Sequence, residues 1–225
     1  MPPYAPTLGA VLREALRGKS VGRTLTNLFW QGRVILSGNI LDIGGGSQGS
    51  HYRFLEKNEK LSRKVVDIIP REGTDFVLNI ETDRVPLPDG SQNAVLMFNI
   101  LEHLFEHDRV LEEVRRLLAP QGLFIGTIPF LVNVHPDPHD FVRFTREALE
   151  LLFSRHGFVV RTIEPIGRGP FLAAYEQLDM LVWSPLHLVF LPIVWCLDSI
   201  LKRIKPRRDF KQQFPLAYNF VVGKS

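Results

Sequence analysis

Cysteine is almost absent from this 225-residue chain, and the N-terminal region has no long apolar run. Cys196 is alone, so no intrachain disulfide can form, which fits a reducing compartment. Arg13, Glu14, Arg17 and Lys19 interrupt the first helical stretch, so we predict no signal peptide. Hydrophobic residues make up 45% of the chain, which excludes disorder as the main state and predicts one globular domain.

The chain also has little net charge, +3 over its whole length. That charge is uneven, because residues 202–211 hold six cations against Asp209 and the remainder is slightly acidic. A nucleic-acid partner is not expected, since it would need a basic body. The sequence predicts instead a single basic segment near its C-terminal end.

Short apolar runs alternate with helical patterns along the chain. Helices are predicted at residues 8–16, around 24–36, and at 51–60, 109–118 and 145–157. Strands are predicted at residues 39–43, 64–68, 76–78, 94–98, 123–127, 158–163 and 218–222. This alternation favours an α/β fold with a parallel sheet and right-handed crossovers.

A glycine-rich loop follows the first predicted strand. Gly44, Gly46 and Gly49 fit the dinucleotide pattern G-x-G-x-x-G, which alone is a weak signal. Asp42 stands at the end of the strand, where its carboxylate would repel a pyrophosphate and favour a ligand with a cationic amino group. S-adenosylmethionine carries such a group and no phosphate. Asp67 closes the second strand, where an acidic side chain accepts hydrogen bonds from ribose hydroxyls in either kind of cofactor.

Four segments in order resemble one known family. Residues 41–47 resemble motif I of the class I S-adenosylmethionine-dependent methyltransferases. Residues 85–91 resemble the loop before their fourth strand, residues 99–104 the "LEH" segment after it, and residues 114–122 the helix-to-turn segment that follows. Together they are similar to the type-11 methyltransferase group over about residues 38–165.

The resemblance implies a Rossmann-like, seven-stranded, mostly parallel sheet with helices on both faces and a helical apolar insert before the last strand. It implies S-adenosylmethionine as cofactor and assigns cofactor contacts by position. Asp42 and the glycines would face the methionine part, Asp67 the ribose, and Phe98 and Asn99 the transferring methyl. The full implied set is Asp42, Gly44, Gly45, Gly46, Asp67, Ile68, Asn79, Ile80, Phe98 and Asn99.

Three positions depart from the family pattern: Gln48 replaces a glycine, and Asn79 and Asn93 stand where Asp is usual. Two alternative functions therefore stay open. The chain would be either a non-catalytic relative that binds a membrane or a partner, or an NAD-type oxidoreductase. Asp42 and the three downstream motifs disfavour the oxidoreductase.

A histidine-rich loop follows the fifth predicted strand, where open α/β sheets bind their ligands. His139 and His103 are the candidate general bases, because a histidine near its ordinary pKa suits proton removal from an acceptor. The candidate substrate contacts are His135, Asp140 and Arg143, although Arg143 equally fits a salt bridge to Asp140. His135, Asp137, His139 and Asp140 match no common structural zinc spacing, so we predict no metal.

Residues 181–197 carry no formal charge and lie within a predicted helical insert, residues 171–211. A helix of that length would reach only ~25 Å, against ~30 Å of hydrocarbon, and Pro185 and Pro192 would break it. A spanning helix would also separate the last strand, residues 214–225, from its sheet. We therefore expect a lid, a dimer contact, or membrane-surface contact through residues 181–211 beside a lipid-linked acceptor.

The sequence thus predicts a single methyltransferase domain over residues 1–225. Residues 1–37 would form N-terminal helices and residues 38–165 the cofactor-binding core. The predicted activity is in-line methyl transfer to a small or lipid-linked acceptor. The expected location is cytoplasmic, with peripheral contact at the inner face of the membrane, and a homodimer is left open.

Overall fold

A computed structural model describes residues 6–46 and 50–224. These residues form one seven-stranded sheet in the order β3-β2-β1-β4-β5-β7-β6. The neighbouring pairs are parallel, except that β7 runs antiparallel to both β5 and β6. The predicted mostly parallel, seven-stranded α/β fold is therefore confirmed. The strands are β1 Ile35–Ile43, β2 Glu56–Asp67, β3 Phe76–Val77, β4 Gln92–Phe98, β5 Leu118–Pro129, β6 Phe158–Ile166 and β7 Ala217–Lys224.

Helices cover both faces of the sheet. They are α1 Leu8–Ala15, α2 Val21–Trp30, α3 His107–Leu117, α4 Arg146–Arg155, α5 Pro170–Leu178, α6 His187–Ile204 and α7 Phe210–Gln213. One apolar cluster joins α3 and α4 to one face, and a second joins α1, α2, α5 and α6 to the other. Alternate residues of β4 serve the two clusters: Val95 and Met97 pack on the first, Ala94 and Leu96 on the second. Buried on both sides, the central strands carry near-continuous apolar runs.

Helix α4 shows how local sequence sets an element boundary. Thr145 precedes it in an extended conformation, and its hydroxyl accepts a hydrogen bond from the backbone N–H of Ala148 at 3.3 Å. Leu149 and Phe153, four positions apart, then bury one face of the helix. The helix stops before Gly157, whose φ of 72° is unfavourable for other residues.

Two sequence predictions are wrong in the first half of the sheet. The predicted helix at residues 51–60 is a short 3-10 turn, Ser50–Arg53, followed directly by β2. Backbone pairing with β1 at Ile35 and Leu36 overrides the helical preference of this charged segment. For the same reason the second predicted helix ends at Trp30, and residues 35 and 36 belong to β1. Gln48 and Gly49 of the glycine pattern lie outside the described residues.

The predicted insert before the last strand is helical. It contains α5, two 3-10 turns (Asp179–Leu181 and Ser184–Leu186), α6 and α7. The prediction that both prolines would break a helix is confirmed at Pro185, which lies in the 3-10 turn before α6, and wrong at Pro192, through which α6 continues. Asp198 of α6 accepts hydrogen bonds from the N–H groups of Phe171 and Leu172, and so caps α5 from a neighbouring helix. None of the helices described is both long and apolar enough to cross a bilayer.

Candidate functional site

A cavity of about 750 Å³ opens at the carboxyl ends of β1, β2 and β4. This is the edge where parallel α/β sheets bind ligands, and the volume suits a cofactor together with part of a small substrate. All but one of the residues predicted to contact the cofactor line this cavity. They are Gly44, Gly45, Gly46, Asp67, Ile68, Asn79, Ile80, Phe98 and Asn99.

The exception is Asp42, which lies behind the glycine loop. Its side chain is fully buried, and a Cβ placed on Gly45 would overlap its carboxylate. Neither carboxylate oxygen has a hydrogen-bond partner among the residues described. A titratable neighbour of this carboxylate is His51, whose Nε2 lies 3.4 Å from Oδ2. Burial raises the pKa of Asp42 above its ordinary value, and His51 opposes that shift. The predicted contact of Asp42 with the cofactor stays a prediction.

The two polar residues predicted for the ribose and adenine pockets also shape their own turns. Asp67 ends β2, and its Oδ1 accepts a hydrogen bond from the N–H of Ile69 at 3.0 Å. Asn79 forms the same kind of turn, because its Oδ1 accepts a hydrogen bond at 3.0 Å from the N–H of Glu81, two residues further along the chain. Each side chain is therefore held in one orientation at the cavity wall, which reduces the entropy lost when a ligand binds.

Phe98 and His51 form one aromatic side of the cavity. Their rings stack with centroids 4.1 Å apart and an angle of 13° between planes, and Trp30 meets Phe98 edge-on at 5.7 Å. Asn99 follows with a φ of 56°, a conformation in which its N–H bonds the carbonyl of Thr127 at 2.9 Å. Sequence analysis missed His51, because it was placed in a predicted helix rather than beside Asp42.

The three candidate histidines meet at the other end of the cavity, and all three line it. His103 Nδ1 lies 2.5 Å from the carbonyl oxygen of His139, so the "LEH" segment and the histidine loop are tied together. The rings of His103 and His135 meet edge-on with centroids 5.2 Å apart. The ring of His139 packs instead against Phe141 at 5.2 Å.

Glu102, also missed by sequence analysis, lies beneath these histidines. Its side chain is fully buried, and within the described part of the chain neither oxygen has a hydrogen-bond partner. Oε1 lies 3.7 Å from His103 Nε2 and 3.8 Å from His135 Nε2. The Glu102 carboxylate is the largest cause that raises the pKa of His135. The signal was present in the "LEH" motif, whose Glu had been given no role.

Asp140 and Arg143 pair with each other. Their two hydrogen bonds measure 2.5 and 2.7 Å, and the Asp140 side chain is almost fully buried. Arg143 is the main cause that lowers the pKa of Asp140. Asp140 also accepts a hydrogen bond from the backbone N–H of His135 at 2.9 Å, so the pair supports the loop from behind. The two side chains are absent from the described cavity wall, and their predicted substrate contact stays a prediction.

The N-terminal segment supplies cations to the cavity, which sequence analysis did not anticipate. Lys19 and Arg23 lie at the start of α2, and both line the cavity with Thr26 and Asn27. They stand on the α2 side, opposite in sign to Asp67 and Glu81 on the other wall. No pattern around residues 19–27 marks them as functional, because only the folded chain brings α2 to the sheet edge.

The fold and the cavity are those of a class I methyltransferase. Comparison with known families supports this assignment, because residues 41–126 match the model described as "Methyltransferase domain", type 11. The expected resemblance to the type-11 methyltransferase group is therefore confirmed over these residues. S-adenosylmethionine is the cofactor of the matching proteins, as expected. The oxidoreductase and adaptor alternatives gain no support.

Curated relatives match the same region. A protein of Mycolicibacterium smegmatis named "Probable S-adenosylmethionine-dependent methyltransferase" is 28% identical over 98 residues, which are 41% of this chain and 38% of the relative. A protein of the same name from Mycobacterium tuberculosis strain H37Rv is 28% identical over 102 residues, 43% of this chain and 37% of the relative. The match thus spans well under half the length of these relatives.

Solved structures match over almost the whole chain but at low identity. A methyltransferase structure from Archaeoglobus fulgidus has a TM-score of 0.53 at 17% identity, covering 98% of this chain and 96% of the other. The [4+2]-cyclase SpnF has the same TM-score at 15% identity, covering 99% and 97%. A methyltransferase fold in a protein named a cyclase illustrates that the fold alone does not determine the reaction.

Proposed function

We propose that the chain transfers a methyl group from S-adenosylmethionine to an acceptor bound at the histidine end of the cavity. One observation carries the proposal. The glycine loop, the end of β2 and the "LEH" segment all lie in the region that matches the family model, and all three line the same cavity. The cofactor supplies a methyl group already activated by a sulfonium, so the protein has to align the acceptor and accept any proton it loses.

The cavity residues fit the parts of this cofactor. Gly44, Gly45 and Gly46 let the ligand approach the backbone closely, and Lys19 and Arg23 offer cations for a carboxylate. Asp67 is oriented to accept hydrogen bonds from ribose hydroxyls. The stacked rings of Phe98 and His51 provide an aromatic side of the cavity against which part of the cofactor can pack.

His139 is the proposed proton acceptor where the acceptor atom is a hydroxyl or an ammonium group. It lines the cavity, and the loop that holds it is fixed to the "LEH" segment by its own carbonyl. His103 is less suited than the sequence suggested, because its Nδ1 is engaged by that carbonyl and its Nε2 faces Glu102. Exchange of His139 for alanine should lower turnover with the true acceptor while leaving cofactor affinity unchanged.

Thermal melting with three ligands tests the cofactor assignment. At a concentration of 100 Kd, a ligand that binds only the native state adds about 2.7 kcal/mol, which is roughly 5–10 °C for a chain of this size. S-adenosylmethionine and S-adenosylhomocysteine should each give such a shift, and NAD should give none. A shift with NAD alone would refute the proposal.

The proposal also includes contact between helix α6 and a membrane surface, where the acceptor would be found. Helix α6 carries an apolar stripe along its exposed side: Val189, Ile193, Leu197, Ile200 and Ile204 follow one another at spacings of three or four residues. The stripe is continued at the helix start by Trp183, which is 73% exposed. Leu191 and Asp198 face the other way, into the protein.

The occupant that fits this surface is an anionic lipid bilayer. Immediately beyond the stripe, Lys202, Arg203, Lys205, Arg207 and Arg208 are all exposed. An apolar helix face beside a basic turn is the arrangement of helices that lie in the membrane interface, where each cation near an anionic surface contributes about 1 kcal/mol. Docking there would bring the enzyme to a lipid-linked acceptor.

Co-sedimentation with vesicles tests this surface. Vesicles that contain phosphatidylglycerol should bind the protein, and pure phosphatidylcholine should bind it at least about tenfold more weakly. Ile193→Gln with Ile200→Gln should abolish binding, whereas Ile35→Gln, at an even more exposed apolar residue of β1, should not. If the same α6 variants instead abolish a dimer seen by analytical ultracentrifugation, the stripe is a contact between copies and the membrane proposal fails.

A further inference from the structure

We infer that Glu102, His103 and His135 form a binding site for a first-row divalent cation. One ligand atom from each residue lies within 4.8 Å of the other two. The carboxylate oxygen Oε1 is 3.7 Å from one imidazole Nε2 and 3.8 Å from the other. Zn²⁺ lies about 2 Å from such atoms, so two ligands of one ion are themselves roughly 3–4 Å apart. Those separations are too long for hydrogen bonds and suit an ion between the groups.

The hydrogen bonds behind the histidines fix the nitrogen that faces the cluster. His103 Nδ1 contacts the carbonyl of His139, and His135 Nδ1 contacts the carbonyl of Asn133 at 2.9 Å. A carbonyl only accepts, so each Nδ1 carries the proton and donates it. In the neutral form of each ring, Nε2 is then the atom that presents a lone pair to the cluster. A backbone carbonyl that orients a ligating imidazole in this way is the usual support of a metal site.

A bound cation would balance the charge of the Glu102 carboxylate when both imidazoles are neutral. Its side chain is fully buried, and neither oxygen has a hydrogen-bond partner in the described ranges. The nearby Arg143 is engaged by both oxygens of Asp140, so that pair is neutral overall. Two imidazole lone pairs then converge on an uncompensated buried carboxylate, an arrangement that costs free energy without a positive charge between them.

The donor set selects the kind of ion. Two imidazole nitrogens with one carboxylate oxygen suit Zn²⁺, Fe²⁺, Ni²⁺ or Cu²⁺, whereas Mg²⁺ and Ca²⁺ prefer oxygen ligands alone. Three protein ligands leave at least one position open to another donor. Because His103 and His135 both line the cavity, the open position faces the acceptor end. An acceptor with a hydroxyl or carboxylate oxygen would bind there, and the ion would lower the pKa of a bound hydroxyl.

Equilibrium dialysis against Zn²⁺, followed by elemental analysis, tests the site without any methyl donor or acceptor. The full chain should bind one ion that resists dialysis. Glu102→Gln keeps the shape and removes the charge, and should weaken binding by roughly 100-fold or more. His135→Ala should do the same, and its half-exposed side chain makes misfolding a minor concern. His156→Ala is the matched control, because His156 lies at the end of α4 beside Asp108 and does not line the cavity.

The outcomes are separable from those of the proposed function. Loss of Zn²⁺ in the two ligand variants, with the S-adenosylhomocysteine melting shift kept, supports the metal site. No retained Zn²⁺ in the native chain overturns it, as does Zn²⁺ that both ligand variants retain like the native chain. Equal loss in His156→Ala also overturns it, since binding would then be diffuse. A chain that binds Zn²⁺ at these residues but gives no shift with S-adenosylhomocysteine would refute the proposed function and leave the metal site standing.

Discussion

Exchange of Gly45 for alanine should distort the glycine loop because there is no room for a methyl group. A Cβ on Gly45 would overlap both the carboxylate oxygens and the Cγ of Asp42. Asp42 is fully buried in β1 and has no free space into which to turn. Such overpacking costs about 1–3 kcal/mol, which is roughly 3–10 °C in melting temperature for a chain of this length. The shift caused by S-adenosylhomocysteine should also disappear.

A double-mutant cycle shows whether Asp42 causes this loss. Gly45→Ala should cost little in an Asp42→Ala background, because the atoms that it would meet are gone. Gly46→Ala is the control: its Cβ would meet nothing within 4 Å, but its φ of 55° strains alanine by about 1 kcal/mol. That strain should be the same in both backgrounds. Thermal or urea unfolding of the variants gives the coupling. If Gly45→Ala costs the same free energy with and without the Asp42 side chain, the packing argument is refuted.

Three further changes test the electrostatics of the fold. Burial, with Asp179 nearby, raises the pKa of Glu176 to about 7, so the cost of this carboxyl to stability grows as pH rises above about 4.3. Glu176→Gln should therefore raise the free energy of unfolding by roughly 1–2 kcal/mol at pH 8 and hardly at pH 4, and equal effects at the two pH values would contradict the assignment. Arg143 lowers the pKa of Asp140, so the pair stabilises the fold above about pH 4 and ceases to do so as the pH falls further. Asp140→Asn should therefore lower the free energy of unfolding at pH 7. The difference in this free energy between the variant and the native chain should shrink as the pH is lowered in acid denaturation. Arg116 donates hydrogen bonds to the carbonyls of residues 85 and 87 and to two carboxylates. In urea unfolding, Arg116→Ala should lower the free energy of unfolding by about 2 kcal/mol, whereas Arg84→Ala, at an exposed residue, should leave it nearly unchanged. A similar loss in both variants would show that the carbonyl contacts matter little.

The sheet was predictable where burial dictates the sequence. The central strands β1, β4 and β5 are apolar on both faces, so short hydrophobic runs located them and the glycine loop that follows β1. The first half of β2 was not predictable, because its charged residues favour a helix and only pairing with Ile35 and Leu36 makes it a strand. Helical patterns gave α3 and α4 to within about two residues.

The residues of the candidate site that belong to local sequence motifs were predictable, whereas the contacts between residues distant in sequence were not. Glycines and strand-end acids pointed to the cavity because their spacing is local. The proximity of Glu102 and His135 was not predictable from the sequence, since 33 positions separate them and only the neighbouring ends of two strands bring them together. Arg23 belongs to α2 and Lys19 immediately precedes that helix, whose placement depends on packing against the finished sheet, which no local pattern encodes.

The position of β7 has a consequence for synthesis on the ribosome. Within the part of the chain that the structure describes, it lies between β5 and β6 and is the only strand that β6 pairs with, yet it is translated after both. Until residues 217–224 leave the exit tunnel, β5 has an open edge and β6 has no place in the sheet, so the nascent chain exposes a surface prone to aggregation. The sheet can therefore be completed only after β7 has followed β6 out of the tunnel, and a premature stop anywhere before β7 would release a chain unable to finish its sheet.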